Sequence, residues 1–212
     1  PSARVLDSAV HLAQSRYYEP NWSKYRYRPA EARRLLGQAG CRRGADGIFS
    51  CDGQRLSLRF VTTAGVVVRA QALPLIQAQL RAAGVEVVPV FAPPASFFGQ
   101  ILPQGLYDVA LFSWVGSPVA SWAGVYGCDA PQNFTGYCQR LVTADFNQAD
   151  RILDERRRAR VLNRADRGLA SDVPTIPLYQ SPVEAAYDTS VRNFVFIPWN
   201  WTWNAENWWL AE

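Results

Sequence analysis

The sequence has little of the chemistry that most enzymes use. Its 212 residues include no methionine, one histidine (His11) and one lysine (Lys24). A Ser-His-Asp or Cys-His site would have to use His11, and no G-x-S-x-G nucleophile motif occurs in the chain. Gly-rich phosphate loops and EF-hand loops are also missing from the sequence. We therefore expect no enzyme activity, no catalytic residues and no cofactor.

Long apolar runs are also missing. The apolar stretches fall short of the ~20 residues that a helix needs to span a bilayer. The chain begins at Pro1, without the charged and apolar regions that open a secretory signal. We therefore take the sequence to be a processed or truncated piece of a longer protein.

The four cysteines form two pairs with equal spacing. Cys41 and Cys51 are ten residues apart, as are Cys128 and Cys138, and each pair flanks a segment rich in Gly, Asp or Asn. The C-x₂-C spacing of zinc sites is absent, so no metal site is expected. Two disulfide-closed loops would each stabilise the fold by ~2–3 kcal/mol and indicate an oxidising compartment. The alternative is four buried free thiols.

Composition favours a globular domain that does not bind nucleic acid. Hydrophobic residues make up 49% and charged residues 19%, with a net charge of +4. The basic residues are scattered, and the densest run, over residues 156–160, indicates the solvated face of a helix.

The first two-thirds of the chain alternates between strand and helix patterns. A helix is predicted to start at Pro29, since Ala32, Leu35, Leu36 and Ala39 recur at helical spacing. The disulfide-flanked loop that follows predicts a hairpin. A strand ending at Thr62-Thr63, a helix over 66–83 and a strand over 85–90 predict a parallel β-α-β unit. The inward stripe of this helix is predicted to be Ala72, Leu75, Ile76, Gln79 and Leu80.

Further elements are predicted towards the C-terminus. Ser96 is expected to cap a short helix, and residues 108–114 to form a strand buried on both faces. Helices are predicted near 139–153 and from an N-cap at Asp154 through Leu169, with short strands at 175–180 and 184–187. The fold class is thus α/β, with a mostly parallel sheet flanked by helices. Residues 1–28 would form an irregular leading segment, 29–190 an α/β ligand-binding lobe and 191–212 a Trp-rich tail.

Loops at the ends of the strands form the candidate site. In a parallel α/β sheet, ligands bind beyond the carboxyl ends of the strands. Aromatic rings with a few polar groups suit a pocket for an extended, mostly apolar ligand. The alternative is that Trp114 and its neighbours are ordinary core residues. The candidate ligand contacts are Trp114, Ser117, Asn133, Tyr137 and Thr63.

The order of several segments resembles a known family. They are YYEPNWSKYRYRPAEARRLLGQAG, LRFVTT, IQAQLRAAGVEV, YDVALFSW, NFTGYC and LASDVPTIPLYQ. Together they resemble the C-terminal lobe of family 5 extracellular solute-binding proteins, the dipeptide/oligopeptide/nickel group. The resemblance implies a periplasmic-binding-protein-like lobe that encloses a peptide or other small-molecule ligand against an N-terminal lobe. It also implies export to a periplasm or a lipid-anchored position at the cell surface, and delivery of the ligand to the membrane permease of an ABC transporter.

The resemblance also assigns roles to single residues. Peptide-binding members often carry W-x-x-D after this strand, with the aspartate pairing the ammonium group of the peptide. Here Trp114 is kept and Ser117 replaces the aspartate, so the charge-assisted bond to a free amine is lost. The replacement favours a blocked peptide, a sugar or another neutral solute. Arg69 lies close to where some members place a carboxylate-binding arginine, and NFTGYC supports a Cys128–Cys138 bond.

Two other functions fit parts of the sequence. A lectin-like carbohydrate-binding module could use the five tryptophans of the tail as a stacking platform: Trp199, Trp201, Trp203, Trp208 and Trp209. A small secreted hydrolase would need two carboxyl groups ~5–9 Å apart in one pocket. No convincing pair can be nominated from the sequence.

Overall fold

The computed structural model describes residues 3–115, 121–197, 200 and 202–211. The chain divides into two compact units. The sheet unit is Tyr25–Ser113, and the helical unit combines Pro1–Lys24 with Trp114–Glu212. No helix within the described ranges is long and apolar enough to cross a membrane.

The described residues form ten short strands, six α-helices and two shorter helical turns. The strands are β1 (Arg4–Val5), β2 (Arg42–Arg43), β3 (Phe49–Cys51), β4 (Gln54–Arg55), β5 (Ser57–Thr63), β6 (Glu86–Ala92), β7 (Val109–Leu111), β8 (Tyr179–Gln180), β9 (Val191–Arg192) and β10 (Trp209–Leu210). The α-helices are α1 (Pro29–Gln38), α2 (Val67–Ala83), α3 (Pro94–Ser96), α4 (Ala123–Tyr126), α5 (Arg140–Ala149) and α6 (Glu155–Asp172). A π-helical turn spans Phe97–Ile101, and a 3₁₀ turn spans Ala205–Asn207.

A parallel sheet forms the centre of the sheet unit. Strand β5 lies between β6 and β7 and is parallel to both. The predicted β-α-β unit is therefore confirmed, with α2 as its crossover. Gly84 ends α2 in the left-handed conformation, as its position in the sequence predicts.

The buried face of α2 differs from the predicted stripe. Leu73 is 1% exposed and packs with Ile76 and Leu80 against the sheet. Leu75, predicted to face inward, is 66% exposed. Residues 73, 76 and 80 follow the helical spacing that covers the sheet, and this face excludes Leu75 and Gln79. The predicted stripe is therefore confirmed at Ile76 and Leu80 and wrong at Leu75 and Gln79, and it missed the buried Leu73.

The disulfide-flanked loop forms the predicted hairpin. Strands β2, β3 and β4 are successively antiparallel, and Ile48 and Phe49 are buried. Helix α1 begins at Pro29 as predicted, but it buries none of its residues, and Leu35 is 51% exposed.

Two predicted details near β7 were also wrong. Ser96 lies inside α3, and its side chain makes no capping bond. Strand β7 has three residues, all half-buried, where the apolar run predicted a longer strand buried on both faces. It is an edge strand that pairs on one side with β5, so its exposed edge leaves it less covered than a central strand.

Helices α5 and α6 carry the core of the helical unit. The Asp154 carboxylate accepts a 2.7 Å bond from the Arg157 amide, which confirms the predicted N-cap. The predicted inward face of α6 is also confirmed, since Val161, Leu162, Ala165 and Leu169 are buried.

The leading segment joins the same core. Trp22 is 2% exposed and belongs to the α5–α6 core cluster. Strand β1 pairs antiparallel with β8, and β9 pairs with β10 in the tail. The strand predicted at 184–187 was wrong, because these residues are irregular and pair with no other described strand.

Candidate ligand-binding site

Both predicted disulfides are formed. Cys41 bonds to Cys51 and Cys128 to Cys138, with Cα–Cα distances of 4.3 and 4.5 Å. No cysteine remains free, which excludes the alternative of buried thiols.

Arg69 spans two strand ends in the sheet unit. Its guanidinium donates from Nη1 to Thr63 Oγ1 and from Nη2 to Ser113 Oγ, the latter at 3.3 Å. Thr63 is the last residue of β5, and Ser113 follows β7, so the cation lies at the carboxyl edge of the parallel sheet. Thr63 is 3% exposed. The structure thus brings together two predicted site residues, Thr63 and Arg69.

An aromatic pair lies in the helical unit. The Trp114 ring stacks on Phe134 with a centroid separation of 6.2 Å and an interplanar angle of 5°. Trp114 is 36% exposed, so the predicted alternative of an ordinary core residue does not describe it. Such offset stacking holds a flat apolar surface in a fixed orientation.

The loop that carries Phe134 is fixed by Asn133. The Asn133 amide nitrogen donates to the carbonyl oxygens of Gly127 and Tyr137, at 2.9 and 2.6 Å. Its Oδ1 accepts a bond from the Thr135 hydroxyl. The polar atoms of Asn133 therefore hold the disulfide-closed loop in shape, and a contact with ligand through this side chain stays a prediction.

Tyr137 is also held within the protein. Its hydroxyl donates a 2.7 Å bond to Asp172 Oδ2, near the end of α6. Burial raises the pKa of Tyr137 above its ordinary value, and the Asp172 carboxylate raises it further. The phenol therefore stays neutral through the physiological pH range.

The structure places the other predicted residues as follows. Trp114, Asn133 and Tyr137 lie in the helical unit and Thr63 and Arg69 in the sheet unit. Ser117 lies outside the described residues. Among the described residues, no group of three or more His, Cys, Asp or Glu side chains could hold a metal.

Sequence reasoning missed two partners in these arrangements, Ser113 and Phe134. Each lies next to a residue that the sequence singled out, Trp114 and Asn133 respectively. The alternation of side chains along the strand could have identified Ser113. The aromatic position within NFTGYC could have identified Phe134.

Curated proteins similar to this chain are peptide-binding proteins by name. Oligopeptide-binding protein OppA of Mycobacterium tuberculosis is 28% identical over 192 residues, covering 89% of this chain and 32% of that protein. Oligopeptide-binding protein AppA of Bacillus subtilis is 23% identical over 194 residues, covering 89% of this chain and 36% of that protein. The chain therefore spans about a third of the length of these relatives.

Solved structures share the fold. Bacillus subtilis AppA in complex with a nonapeptide superposes with a TM-score of 0.83 at 22% identity, covering 99% of this chain and 43% of that one. A periplasmic EDTA-binding protein, EppA, superposes with a TM-score of 0.84 at 20% identity, covering 99% of this chain and 40% of that one. These likenesses confirm the predicted α/β fold of the periplasmic-binding-protein type.

A family model matches most of the chain. It describes the middle part of the bacterial extracellular solute-binding proteins, family 5, and matches residues 3–136. The family binds solutes and is not enzymatic, in agreement with the expectation drawn from the missing catalytic motifs. With more than half of its residues matched, the chain belongs to the bacterial extracellular solute-binding proteins of family 5.

Proposed function

We propose that this chain supplies the C-terminal lobe of the substrate-binding component of an ABC importer. Its substrate would be a peptide-like or other small solute. The names of the M. tuberculosis and B. subtilis relatives support peptide as the substrate class. Both disulfides fit an exported protein, periplasmic or lipid-anchored at the cell surface.

The observation that carries this proposal is the stacked pair of Trp114 and Phe134. A partly exposed indole held parallel to a second ring offers a rigid apolar face without further loss of side-chain entropy. The Cys128–Cys138 bridge and the Asn133 bonds hold the loop beneath it. A pre-formed face of this kind suits the side chains or sugar rings of a solute.

Arg69 supplies a second candidate contact. A guanidinium group held by Thr63 and Ser113 has donors left over for a carboxylate, since five N–H groups are present and two are used in these bonds. We expect it to bind the carboxyl end of a peptide. With Ser117 in place of an aspartate, the amino end has no matching charge on this segment. Arg69 thus favours a solute with a free carboxylate, and Ser117 separately favours one with a blocked or neutral amino end.

Ligand capture in this proposal needs two lobes. The N-terminal lobe of the parent protein would cover the solute, and closure would remove water from it before delivery to the permease. Because one lobe supplies half of the contacts, the 212-residue chain alone should bind solute at millimolar affinity or weaker. Micromolar binding to this chain alone would contradict the two-lobe arrangement.

Calorimetry on the two-lobed protein tests the proposal. The probes are one peptide sequence in free-amine and N-acetylated forms, and a mannose oligosaccharide. We expect Trp114→Ala to weaken binding at least tenfold, while Trp203→Ala leaves it unchanged. Ser117→Asp should increase the affinity for the free-amine peptide relative to that for the acetylated peptide. No loss of affinity in Trp114→Ala for any bound probe would contradict the proposal.

The Trp-rich tail supports a second candidate, a carbohydrate-binding module. Trp203 and Trp209 are 59% and 54% exposed, whereas Trp208 is half-buried and bonds through Nε1 to Asn204 at 2.9 Å. Trp199 and Trp201 lie outside the described residues. A glycan array distinguishes the two functions, because binding abolished by Trp203→Ala and kept in Trp114→Ala would favour the tail.

A further inference from the structure

The turn between α5 and α6 exposes an apolar side chain almost completely. Leu153 lies between the two helices and is 96% exposed. A leucine in this position gives up the free energy that burial would gain, about 25 cal/mol for each Å² of apolar surface. Leu153 therefore has little part in the folding of this unit, and its exposed side chain is available to an outside apolar phase.

A groove opens beside Leu153. It has a volume of about 750 Å³. Two arginines, Arg151 and Arg157, contribute to its walls, and amide side chains of α5 contribute hydrogen-bonding groups. The lining residues are Ala144, Asn147, Gln148, Arg151, Ile152, Leu153, Asp154 and Arg157.

Four exposed arginines lie in the turn or in the first part of α6. They are Arg151, Arg156, Arg157 and Arg160. Within the described part of the chain, the structure gives their guanidinium groups no ion pair or hydrogen bond. Other arginines of the same unit are paired, for example Arg164 with Asp145 and Arg167 with Glu19. We call Leu153 and these four arginines the Arg-Leu tip.

The carboxylates near the tip are engaged elsewhere. Asp150 accepts a bond from the Ser121 hydroxyl, and Asp154 caps the amide of Arg157. Glu155 pairs with Arg16. These acidic groups lower the net positive charge of the region, but none of them is bonded to the guanidinium groups of the tip.

We propose that the Arg-Leu tip docks on an anionic phospholipid surface. Leu153 would enter the boundary between headgroups and acyl chains, while the arginines contact phosphates and the groove accepts one headgroup. An exposed apolar residue on the same short segment as several cations without ion pairs among the described residues matches the two layers of such a surface, apolar chains below anionic headgroups. The proposal rests on the proposed function for its setting, since a protein that serves a membrane permease gains by staying at that membrane.

The strength of this docking can be bounded. Each arginine near an anionic surface contributes about a fivefold increase in partitioning, and salt screens this contribution. Partial burial of one leucine side chain adds a further factor of similar size. We therefore expect weak and reversible binding that needs both the charges and Leu153.

Vesicle flotation of the 212-residue chain tests the proposal. The probes are phosphatidylcholine vesicles with and without 30% phosphatidylglycerol, at low salt. We expect binding to the anionic vesicles at least tenfold stronger than to the neutral ones. The double variant Arg151→Gln/Arg157→Gln should lower it about twentyfold, and Leu153→Gln about fivefold. Matched changes in the sheet unit serve as controls. Leu75→Gln should change vesicle binding less than twofold, and the effect of Arg42→Gln/Arg81→Gln should be markedly smaller than that of the double variant in the tip.

Each other outcome overturns the proposal. Equal binding to both vesicle types, or unchanged binding in the tip variants, removes the role of the tip. Release of the chain from the vesicles by millimolar glycerol phosphate would assign the groove to a free phosphate compound. Binding of polyglutamate without flotation would assign the tip to an acidic protein partner. Circular dichroism establishes that each variant is folded, and since flotation needs no solute, its failure is independent of the solute-binding test.

Discussion

The indole nitrogen of Trp22 donates a 2.9 Å hydrogen bond to Oδ1 of Asp166, a carboxylate that is fully buried in α6. The same carboxylate accepts bonds from the Ala9 amide at 2.9 Å and from the Asn21 side chain at 2.8 Å. A single buried acid thus attaches the leading segment to a helix about 144 residues further along the chain.

Replacing Asp166 by Ala should strongly destabilise the helical unit. The change removes the acceptor of three donors, two of which bond to Oδ1 and one to Oδ2. Each unmet donor in a buried site costs about 1–3 kcal/mol. We expect a loss of about 3–5 kcal/mol in the free energy of unfolding, measured by urea denaturation. Trp22→Phe removes one donor and keeps a ring, so its loss should be smaller. Equal effects of the two variants would contradict the role given to the carboxylate.

This attachment shows what the sequence could not predict. The helical period of α6 predicted its buried face correctly, and a cap before Glu155 followed from residue type. The sequence of the first 28 residues has no period, so their packing depends on long-range hydrogen bonds to Asp166, which local patterns do not contain. At the site, residue types marked Trp114, Thr63 and Arg69. Their partners, Phe134 and Ser113, depend on how separate segments meet in space.

Acid should weaken the helical unit through His11. Burial lowers the pKa of His11 below 6.5, and Arg158 also lowers it, whereas Asp166 and Glu19 act to raise it. The Nε2 atom is buried without a hydrogen-bond partner among the described residues. As the pH falls below about 6.5, the unfolded chain binds a proton that the folded chain does not yet bind. The free energy of unfolding therefore decreases, by no more than about 1.4 kcal/mol per pH unit from this group.

Urea denaturation between pH 8 and pH 5 measures this effect. The variant His11→Gln cannot titrate, so the difference between its stability and that of the natural chain should change below pH 6.5 and stay constant above it. Parallel profiles across the whole range would show that His11 does not contribute. The comparison cancels the carboxylates, which titrate in both proteins.

The two disulfides close loops of equal length in different units. Each joins cysteines ten residues apart, so loss of either should cost about 2.5–3 kcal/mol on the chain-entropy account. All eight tryptophans belong to the helical unit by sequence position. The pair Cys128→Ser/Cys138→Ser should therefore shift the unfolding midpoint seen by tryptophan fluorescence. The matched pair Cys41→Ser/Cys51→Ser should shift it less and change far-UV circular dichroism instead. Equal shifts of the fluorescence midpoint would contradict this assignment.

Two glycines that follow helices allow the cost of backbone strain to be measured apart from the cost of a steric clash. Gly40 and Gly84 both have a left-handed backbone, with φ of 86° and 89°. A Cβ atom at Gly40 would have no atom within 4 Å, whereas one at Gly84 would lie 2.4 Å from Cδ2 of Phe49. Phe49 is 5% exposed, so its ring has little room to move away.

We therefore expect unequal effects of the same substitution. Gly40→Ala should cost about 1 kcal/mol, the value for a left-handed residue with a side chain. Gly84→Ala adds a clash with a buried ring and should cost about 3 kcal/mol or more, measured by far-UV circular dichroism in urea. Adding Phe49→Ala to each variant isolates the contact, because it removes the ring that Gly84→Ala would meet. If the steric argument holds, Gly84→Ala costs less in the Phe49→Ala background, and the cost of Gly40→Ala is the same in both backgrounds.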